Sequence, residues 1–231
     1  MVIKIGGSLF YNEKLEINVS VLGYVKKWYE QYKSKLDNIV FVTGGGRLSR
    51  EMGEKVKSFS NIEEDIHSVS MEATQLNSQI LKAYLNDKSI YVPQRLGDAY
   101  EYLIADGKGR TMVSGGLKHG WSTDMDAAIF ADILKEKKVY KLTDVEGVYT
   151  EDPKLSPSAK IIEDITWDEF MQKFGISKTS KHSPNLHVPV SAESAVFCET
   201  KGITMYIAGG KNIDNENGLE SVFESGTKIH P

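Results

Sequence analysis

The sequence predicts an α/β protein in which a mostly parallel central sheet is covered by helices on both faces, a three-layer α/β/α sandwich. Segments with the pattern of buried strands alternate with segments of helical periodicity along the 231 residues, and such alternation is typical of parallel sheets. Glycine clusters follow several of the strands, and the carboxyl ends of strands are where open α/β sheets bind ligands. The length is sufficient for one large domain with a continuous core.

The individual elements follow from apolar periodicity and from residues that start or stop helices. Pro93 ends one strand, Ser122 and Thr123 can cap a helix, and Gly202 closes another helix. Short apolar runs bounded by turn residues predict strands at 2–5, 38–43, 89–92, 110–114, 139–142 and 203–207. Helical spacing predicts helices at 21–32, 48–59, 62–85, 95–105, 123–134, 191–200 and 219–223.

Two segments depart from the alternation. Residues 147–164 combine turn residues with short strand-like pieces, which predicts an excursion from the main sheet, and residues 175–189 are the least regular part of the chain. The first helix carries Trp28, Tyr29 and Tyr32. Their spacing fits the core and a contact between subunits equally well.

Composition excludes several classes of function. The formal net charge is −4 with both signs interspersed, which argues against broad nucleic-acid binding. No apolar run approaches the roughly 18 residues of a membrane span, and the N-terminus enters a strand without a signal-like segment, so we expect no membrane and no secretion. The single cysteine, Cys198, is expected to be a buried thiol in a reducing, cytoplasmic setting.

Two glycine clusters indicate phosphate binding. Gly6, Gly7 and Ser8 follow the first strand, and Gly44 to Gly46 follow the second and lead into a helix. Such loops present bare backbone N–H groups and a helix N-terminus to an anion. Taken alone, each cluster is equally consistent with a strand-to-helix turn of positive φ. Neither a P-loop nor a G-x-G-x-x-G motif occurs in the sequence.

Four strand ends carry polar residues and exposed backbone: residues 4–8, 44–51, 115–124 with Ala127 and Ala128, and 143–153. In order and spacing, these segments resemble those of the amino acid kinase superfamily, and within it the uridylate (UMP) kinases of archaeal and bacterial type. The resemblance covers nearly the whole chain.

The resemblance implies one amino acid kinase-like domain over residues 1–231, with an acceptor-binding lobe at roughly 1–125 and an ATP-binding lobe at 126–231. It assigns catalytic roles to Lys4, Arg50 and Asp124. It places the ATP site at Gly6, Gly7, Ser8, Gly46, Thr143, Asp144, Tyr149 and Asp152, and the acceptor site at Gly45, His67, Gly120, Ser122 and Thr123. It also implies a homo-oligomer, a dimer or a hexamer.

The sequence departs from the family pattern on the acceptor side. His67 stands where the family has an aspartate ten residues before an asparagine, here Asn77, and Asp65 lies two residues before His67. Ser70 stands for a glycine, His119 for a proline, and bulky Trp121 follows in the same loop. Val188-Pro189 and Glu193 stand where archaeal relatives carry Asp-Pro and a lysine. These departures suggest an altered acceptor pocket.

Phosphoryl transfer spreads negative charge over the transferring group, so fixed N–H donors and cations must surround it. The resemblance implies ATP and Mg²⁺ as the cofactors. The five histidines lack the spacing of a zinc site, so Mg²⁺ is expected to be carried by the nucleotide and no metal is expected on the protein.

Three hypotheses follow from the residues and the resemblance. The first is ATP-dependent phosphorylation of UMP to UDP. The second is the same transfer to another small phosphomonoester or to a carboxylate. The third is a nucleotide-binding or storage protein without catalysis, against which the presence of Lys4, Arg50 and Asp124 argues.

Overall fold

The computed structural model describes residues 1–105, 107–153, 155–177, 188–210 and 222–231. The strands in this part of the chain are β1 (Val2–Ile5), β2 (Asn38–Thr43), β3 (Arg110–Ser114), β4 (Lys138–Thr143), β5 (Asp164–Thr166), β6 (Thr204–Gly209) and β7 (Thr227–His230). The α-helices are α1 (Val19–Tyr32), α2 (Gly46–Lys57), α3 (Glu63–Leu85), α4 (Leu96–Ile104), α5 (Thr123–Ile133), α6 (Trp167–Lys173) and α7 (Ala192–Lys201), and a 3₁₀ turn spans Gly7–Leu9.

The strands form one sheet in the order β3-β2-β1-β4-β6-β7-β5. Neighbouring strands from β3 to β6 are parallel, β7 runs antiparallel to β6, and β5 is parallel to β7. The predicted mostly parallel sheet is therefore confirmed. Its central strand β1 lies between β2 and β4, with Lys4 in register with Val42 on one side and Lys141 on the other.

Side chains alternate between two hydrophobic cores, one on each face of the sheet. Val2 belongs to the core beneath α4, α5 and α7, whereas Ile3 and Ile5 belong to the core beneath α1 and α3. Because successive strand residues face opposite sides, Lys4 shares the face of Val2, where α5 packs against β1, β2 and β4. The three-layer prediction is confirmed.

One predicted element is wrong, and three short elements were not predicted. Residues 89–92 are not a strand but make a single parallel bridge from Tyr91 to Met112, because Pro93 cannot continue the ladder. The helix predicted at 48–59 is present as α2, with both ends two residues earlier. The unpredicted elements are β5, α6 and β7, which have only three, seven and four residues. Most of the predicted helix at 219–223 and much of 175–189 lie outside the described residues.

Two expectations about buried residues are resolved. Trp28 and Tyr29 are buried in the core beneath α1 and α3, and Tyr32 packs against that core, so packing accounts for the aromatic stripe. Cys198 is a buried free thiol in α7, and burial raises its pKa. Among the described residues, no helix has both the length and the apolar character needed to cross a membrane.

Candidate active site

The carboxyl ends of β1, β2 and β4 lie side by side because these strands are neighbours in the sheet. The loop after β1 begins at Gly6, whose N–H donates to Leu142 O of β4 at 2.7 Å, and Gly44 N after β2 donates to Ile5 O at 2.9 Å. The ladder thus continues into the loops and fixes their exit from the sheet. Three of the four segments that carry the family resemblance start from this edge.

The first two glycine loops are in backbone contact. A Cβ atom on Gly7 would overlap the backbone of Gly46, and one on Gly46 would overlap the backbone of Gly7. Gly46 also has a φ of +61°, which side chains rarely adopt. Glycine is therefore required by close approach and not only by the turn, so the loops after β1 and β2 form one joined structure.

A buried ion cluster lies beneath these loops. Lys4 Nζ is 3.2 Å from Asp124 Oδ1, and Lys141 Nζ donates to Asp124 Oδ2 at 2.6 Å. All three side chains are about nine-tenths buried or more. Lys141 Nζ also donates to Pro189 O at 2.5 Å. With two ammonium groups and one carboxylate, the cluster carries a net positive charge.

Register and helix position bring the three residues together. Lys4 and Lys141 are register partners on β1 and β4, so both ammonium groups reach the face that α5 covers. Asp124 is the second residue of α5, where the partial positive charge of the helix N-terminus favours a carboxylate. Ser122 caps this helix by accepting from Met125 N, which confirms its predicted capping role.

Burial and charge act in opposite directions on the pKa values in this cluster. Burial alone would raise the pKa of Asp124, but the charges of Lys141 and Lys4 outweigh it and hold this pKa well below the usual range. Burial lowers the pKa of Lys141 to about 8, assisted by the nearby Lys4 charge and opposed by Asp124. The carboxylate is thus ionised at neutral pH.

Lys141 is the site residue that the sequence analysis missed. The sequence pattern places Lys141 only within the strand predicted at 139–142. The available signal was a lysine between Tyr140 and Leu142 in a strand buried on both faces, where a charged group needs a partner. Among the described residues, Lys4 and Lys141 are the buried lysines.

Asp126 is a second buried acid on α5. It is fully buried, and neither carboxylate oxygen accepts a hydrogen bond from a described residue in normal geometry. Burial raises the pKa of Asp126 to about 8, the Leu117 backbone amide opposes this, and the Asp124 charge adds to it. This carboxyl group is therefore protonated over much of the neutral range, unlike that of Asp124.

Ser122, which is predicted to contact the acceptor, is hydrogen-bonded to the start of α7. Its N–H donates to Glu193 Oε1 at 3.2 Å. Its hydroxyl lies 2.6 Å from that of Ser191 and 3.2 Å from that of Ser194, and the latter two are 2.6 Å apart. Thr123 follows as the half-buried first residue of α5. The start of α5 and the start of α7 are thus joined by a hydroxyl cluster.

The two histidines of the predicted acceptor pocket face the acidic first turn of α3. His67 Nε2 lies 3.5 Å from Glu63 Oε1, and His119 Nδ1 lies 3.9 Å from Glu64 Oε1. Gly120 is exposed, with a φ of +76°. Asp65, considered as a replacement for the family aspartate, accepts from Ser60 Oγ at 2.6 Å on the exposed surface.

The predicted ATP-site residues follow β1, β2 and β4. Ser8 is half-buried in the 3₁₀ turn, Gly46 is the half-buried first residue of α2, and Thr143 O accepts from Gly210 N at 2.7 Å. Thr143 Oγ1 donates to exposed Asp144 at 3.2 Å. Beyond them, Tyr149 OH donates to Glu146 Oε2 at 3.3 Å, and the carbonyl of exposed Asp152 accepts from the Leu155 and Ser156 amides.

Arg50 is the predicted catalytic residue that the structure does not bring into the ion cluster. It is exposed on α2 and makes no ion pair with another described residue. Its role stays a prediction.

As for metals, the described part of the chain contains no group of three or more His, Cys, Asp or Glu side chains arranged to hold an ion.

An α/β sheet whose strand ends carry joined glycine loops above a buried lysine cluster defines a phosphate-handling protein, and comparison with known proteins specifies the family. The model of the amino acid kinase family matches residues 1–209. The chain therefore belongs to the amino acid kinase family.

Individual relatives cover almost the whole chain. A protein of Pyrococcus abyssi named uridylate kinase is 32% identical over 214 residues, which is 92% of this chain and 91% of that protein. A uridylate kinase of Methanobrevibacter smithii is 29% identical, covering 99% and 98% of the two chains.

Solved structures agree on the fold. The crystal structure of uridylate kinase from Archaeoglobus fulgidus has a TM-score of 0.75 at 24% identity, covering 99% of this chain and all of that one. The UMP kinase structure from Bacillus anthracis has a TM-score of 0.77 at 17% identity, covering 99% and 94%.

Proposed function

We propose that this protein is an ATP-dependent kinase that phosphorylates UMP to UDP. The observation that carries the proposal is the buried cluster of Lys4, Asp124 and Lys141 under two joined glycine loops. The similarity of the whole chain to proteins named uridylate kinase supports UMP as the acceptor. Neither of the two relatives described above has a name that indicates another acceptor or a storage role.

In this mechanism the protein provides charge and position, and no covalent enzyme intermediate forms. Lys4 stabilises the charge on the transferring phosphoryl group, aided by the backbone N–H groups of the loops after β1 and β2. Lys141 is held by two acceptors, Asp124 and Pro189 O. We therefore assign to Lys141 a mainly electrostatic role and to Asp124 the orientation of both lysines, while Arg50 neutralises phosphate from α2.

The proposed substrates occupy the two sides of this centre. ATP contacts Gly6, Gly7, Ser8, Gly46, Thr143, Asp144, Tyr149 and Asp152, in the lobe formed mainly by residues 126–231. The acceptor contacts Gly45, His67, Gly120, Ser122 and Thr123, in the lobe formed mainly by residues 1–125. The two phosphates meet where the first and second glycine loops touch, which fits an in-line transfer.

Mg²⁺ belongs to the proposal as an ion carried by the nucleotide. The donor set fits this arrangement, because the cluster offers two ammonium groups and a single carboxylate that both lysines already engage. Mg²⁺ prefers phosphate and water oxygens and keeps several waters when bound. When bound, it neutralises charge on the phosphate chain of ATP.

The setting and assembly are also proposals. A buried free cysteine suits a reducing compartment, and we infer a cytoplasmic enzyme. Phe59 and Ile62, 79% and 60% exposed in the turn between α2 and α3, offer an apolar surface for a homo-oligomer, a dimer or a hexamer. Light scattering on the purified protein determines the subunit number.

The experiment that tests the function is a substrate panel. The purified protein is incubated with labelled ATP, Mg²⁺ and one acceptor at a time: UMP, CMP, AMP, a small phosphomonoester or aspartate. We expect labelled UDP, with kcat/KM for UMP at least tenfold above that for every other acceptor. Preferred transfer to another acceptor, or ATP binding without transfer to any of them, contradicts the proposal.

A further inference from the structure

One buried amide connects the two glycine loops from the side opposite the ion cluster. Asn77 lies in the middle of α3 and is fully buried. Its Oδ1 accepts from Tyr11 OH at 2.7 Å, and its Nδ2 donates to Gly44 O at 2.7 Å and approaches Gly45 O at 3.5 Å. Both ends of the amide are therefore engaged.

The partners of Asn77 belong to different loops. Tyr11 follows the 3₁₀ turn Gly7–Leu9 and is thus part of the loop that leaves β1. Gly44 and Gly45 form the loop that leaves β2. Since these loops touch at Gly7 and Gly46, Asn77 bridges them at a second point, and the two contacts together restrict their relative rotation.

The hydroxyl of Tyr11 selects the orientation of this amide. With Oδ1 held by a donor, Nδ2 faces the Gly44 carbonyl, whereas a flipped amide would oppose two carbonyl oxygens in a buried site. Lys4 Nζ lies 3.6 Å from the position that a Cβ of Gly44 would take. A tilt of the Gly44 peptide therefore changes the surroundings of the Lys4 ammonium group directly.

The same helix holds the third glycine loop by the same means. Thr74 Oγ1 accepts from Gly116 N at 2.7 Å, and Gln75 Nε2 donates to Gly116 O at 2.9 Å. The polar stripe of α3, defined as Thr74, Gln75 and Asn77, therefore binds the backbone of the loops after β2 and β3. Asn77 differs in having a second loop, that of Tyr11, on its other side.

We propose that Tyr11 and Asn77 are positioning residues for phosphoryl transfer, which set the Gly44 and Gly45 peptides relative to Lys4. This inference rests on the proposed kinase function. Neither residue needs to touch substrate. A loop displaced by a fraction of an ångström lowers the rate of an in-line transfer more than it weakens substrate binding.

The test is Tyr11→Phe, which removes one hydroxyl from a half-buried ring. We expect kcat for UDP formation to fall about tenfold while KM for UMP stays within twofold. Tyr84→Phe is the matched control, since Tyr84 is also half-buried, lies on the same helix as Asn77, and donates through its hydroxyl to Val19 O of α1 at 3.3 Å. An unchanged kcat in Tyr11→Phe, or a change confined to KM, overturns the inference.

Two further measurements separate positioning from general damage. Asn77→Asp keeps the acceptor for Tyr11 but removes the donor to Gly44, and we expect a larger fall in kcat than in Tyr11→Phe. We expect the double variant to have the same kcat as Asn77→Asp alone, because the two residues act through the same contact. Amide hydrogen exchange over residues 43–48 is expected to be several-fold faster in Tyr11→Phe and unchanged in Tyr84→Phe. Equal exchange in both variants contradicts the inference even if Asn77→Asp does not fold.

The outcomes also separate this inference from the proposed function. A wild-type protein that makes no UDP overturns the function, and with it the catalytic part of the inference. An active wild type whose Tyr11→Phe variant has the same kcat and the same exchange overturns only the inference.

Discussion

At the scale of single residues, the ion cluster has an excess of positive charge, which attracts an anion. Asp124 neutralises one ammonium group, so the Lys4 and Lys141 pair retains a net positive charge in a buried place. Burial of an uncompensated charge is costly. A phosphate entering beside Lys4 relieves that cost, which is a physical reason for the cluster to bind and stabilise a transferring phosphoryl group.

The first prediction concerns Lys4. Lys4→Ala removes the ammonium group that we assign to the transferring phosphate, and we expect kcat to fall by roughly 10² to 10³, the scale for one preorganised donor. Steady-state UDP formation from ATP and UMP measures it. Lys14→Ala, a change at an exposed lysine, serves as the control. Equal turnover in the two variants removes Lys4 from the mechanism.

The second prediction concerns Asp126 and pH. Burial raises its pKa to about 8 in the folded protein, against about 3.9 in an unfolded chain. The contribution of this proton to the unfolding free energy is complete at pH values below the unfolded pKa. It decreases as pH rises and the unfolded chain ionises, and it is lost above the folded pKa. Over pH 5 to 7 the wild type therefore loses roughly 1 kcal/mol per pH unit from this group.

Asp126→Asn removes the titrating group. As pH rises from 5 to 7, we expect the unfolding free energy of the variant to increase relative to that of the wild type by roughly 1 kcal/mol per pH unit. Urea unfolding at pH 5, 6 and 7 measures this difference. This range lies below the lowered pKa of Lys141, about 8. Asp168→Asn, an exposed change on α6, is the control, and a difference independent of pH contradicts the assignment.

The residues that could be predicted from sequence are those whose signal is local. Gly6, Gly7 and Gly44 to Gly46 follow apolar runs, and Asp124 follows a capping serine, so short windows contain the information. Lys141 and Tyr11 could not be assigned in this way. The Lys141 partner lies 17 residues away, and that of Tyr11 lies 66 residues away. Only the strand register and the position of α3 bring them together.

At the scale of elements, the glycine loops after β1 and β2 are packed backbone against backbone. Gly7 has no room for a side chain, since a Cβ would meet the peptide at Gly46. Gly97, in contrast, is exposed in α4, and a Cβ there would meet no atom within 4 Å. The same change from glycine to alanine therefore meets close packing at Gly7 but open space at Gly97, so comparing the two variants isolates the effect of packing.

The third prediction uses this pair of glycines. Gly7→Ala forces the joined loops apart, and we expect a loss of about 1–3 kcal/mol in unfolding free energy and a large fall in kcat. Gly97→Ala reduces the freedom of the unfolded chain and is expected to stabilise the protein by up to about 1 kcal/mol with activity unchanged. Urea unfolding and UDP formation measure both. A stable, active Gly7→Ala variant contradicts the packing of the loops.

The elements that the sequence analysis missed have a common property. β5 and β7 have three and four residues, and they pair with each other across about 60 residues of chain. β7 then joins the main sheet through antiparallel pairing with β6. Such short strands carry little periodicity of their own, because their stability comes from non-local pairing. The long helix α3, by contrast, was predicted to within one residue.

At the scale of the whole molecule, the two hydrophobic cores do not correspond to the two proposed lobes. The core beneath α4, α5 and α7 contains Val2 and Met112 together with Ala131 and Ile229. The core beneath α1 and α3 likewise draws residues from both halves of the chain, among them Ile3, Phe41, Leu142 and Ala208. The proposed division near residue 125 therefore concerns ligand binding only, and it does not separate two folding units.

The fourth prediction follows from this sharing. Because both cores lie on opposite faces of one seven-stranded sheet, losing either removes support from the other, and we expect one cooperative unfolding transition. Trp28 is buried in one core and Trp167 in the other. Phe replacement of Trp121 and Trp167 leaves Trp28 as the fluorescent reporter, and Phe replacement of Trp28 and Trp121 leaves Trp167.

Each reporter is compared with the helical circular dichroism of the same variant during urea unfolding. Within each variant the fluorescence and dichroism midpoints are expected to coincide, since coincident transitions from different probes are the mark of two-state behaviour. A Trp28 signal that changes at a lower urea concentration than the dichroism, with Trp167 changing later, would mean that the faces unfold separately. We expect both faces to unfold together because the central strands β1 and β4 contribute side chains to both cores.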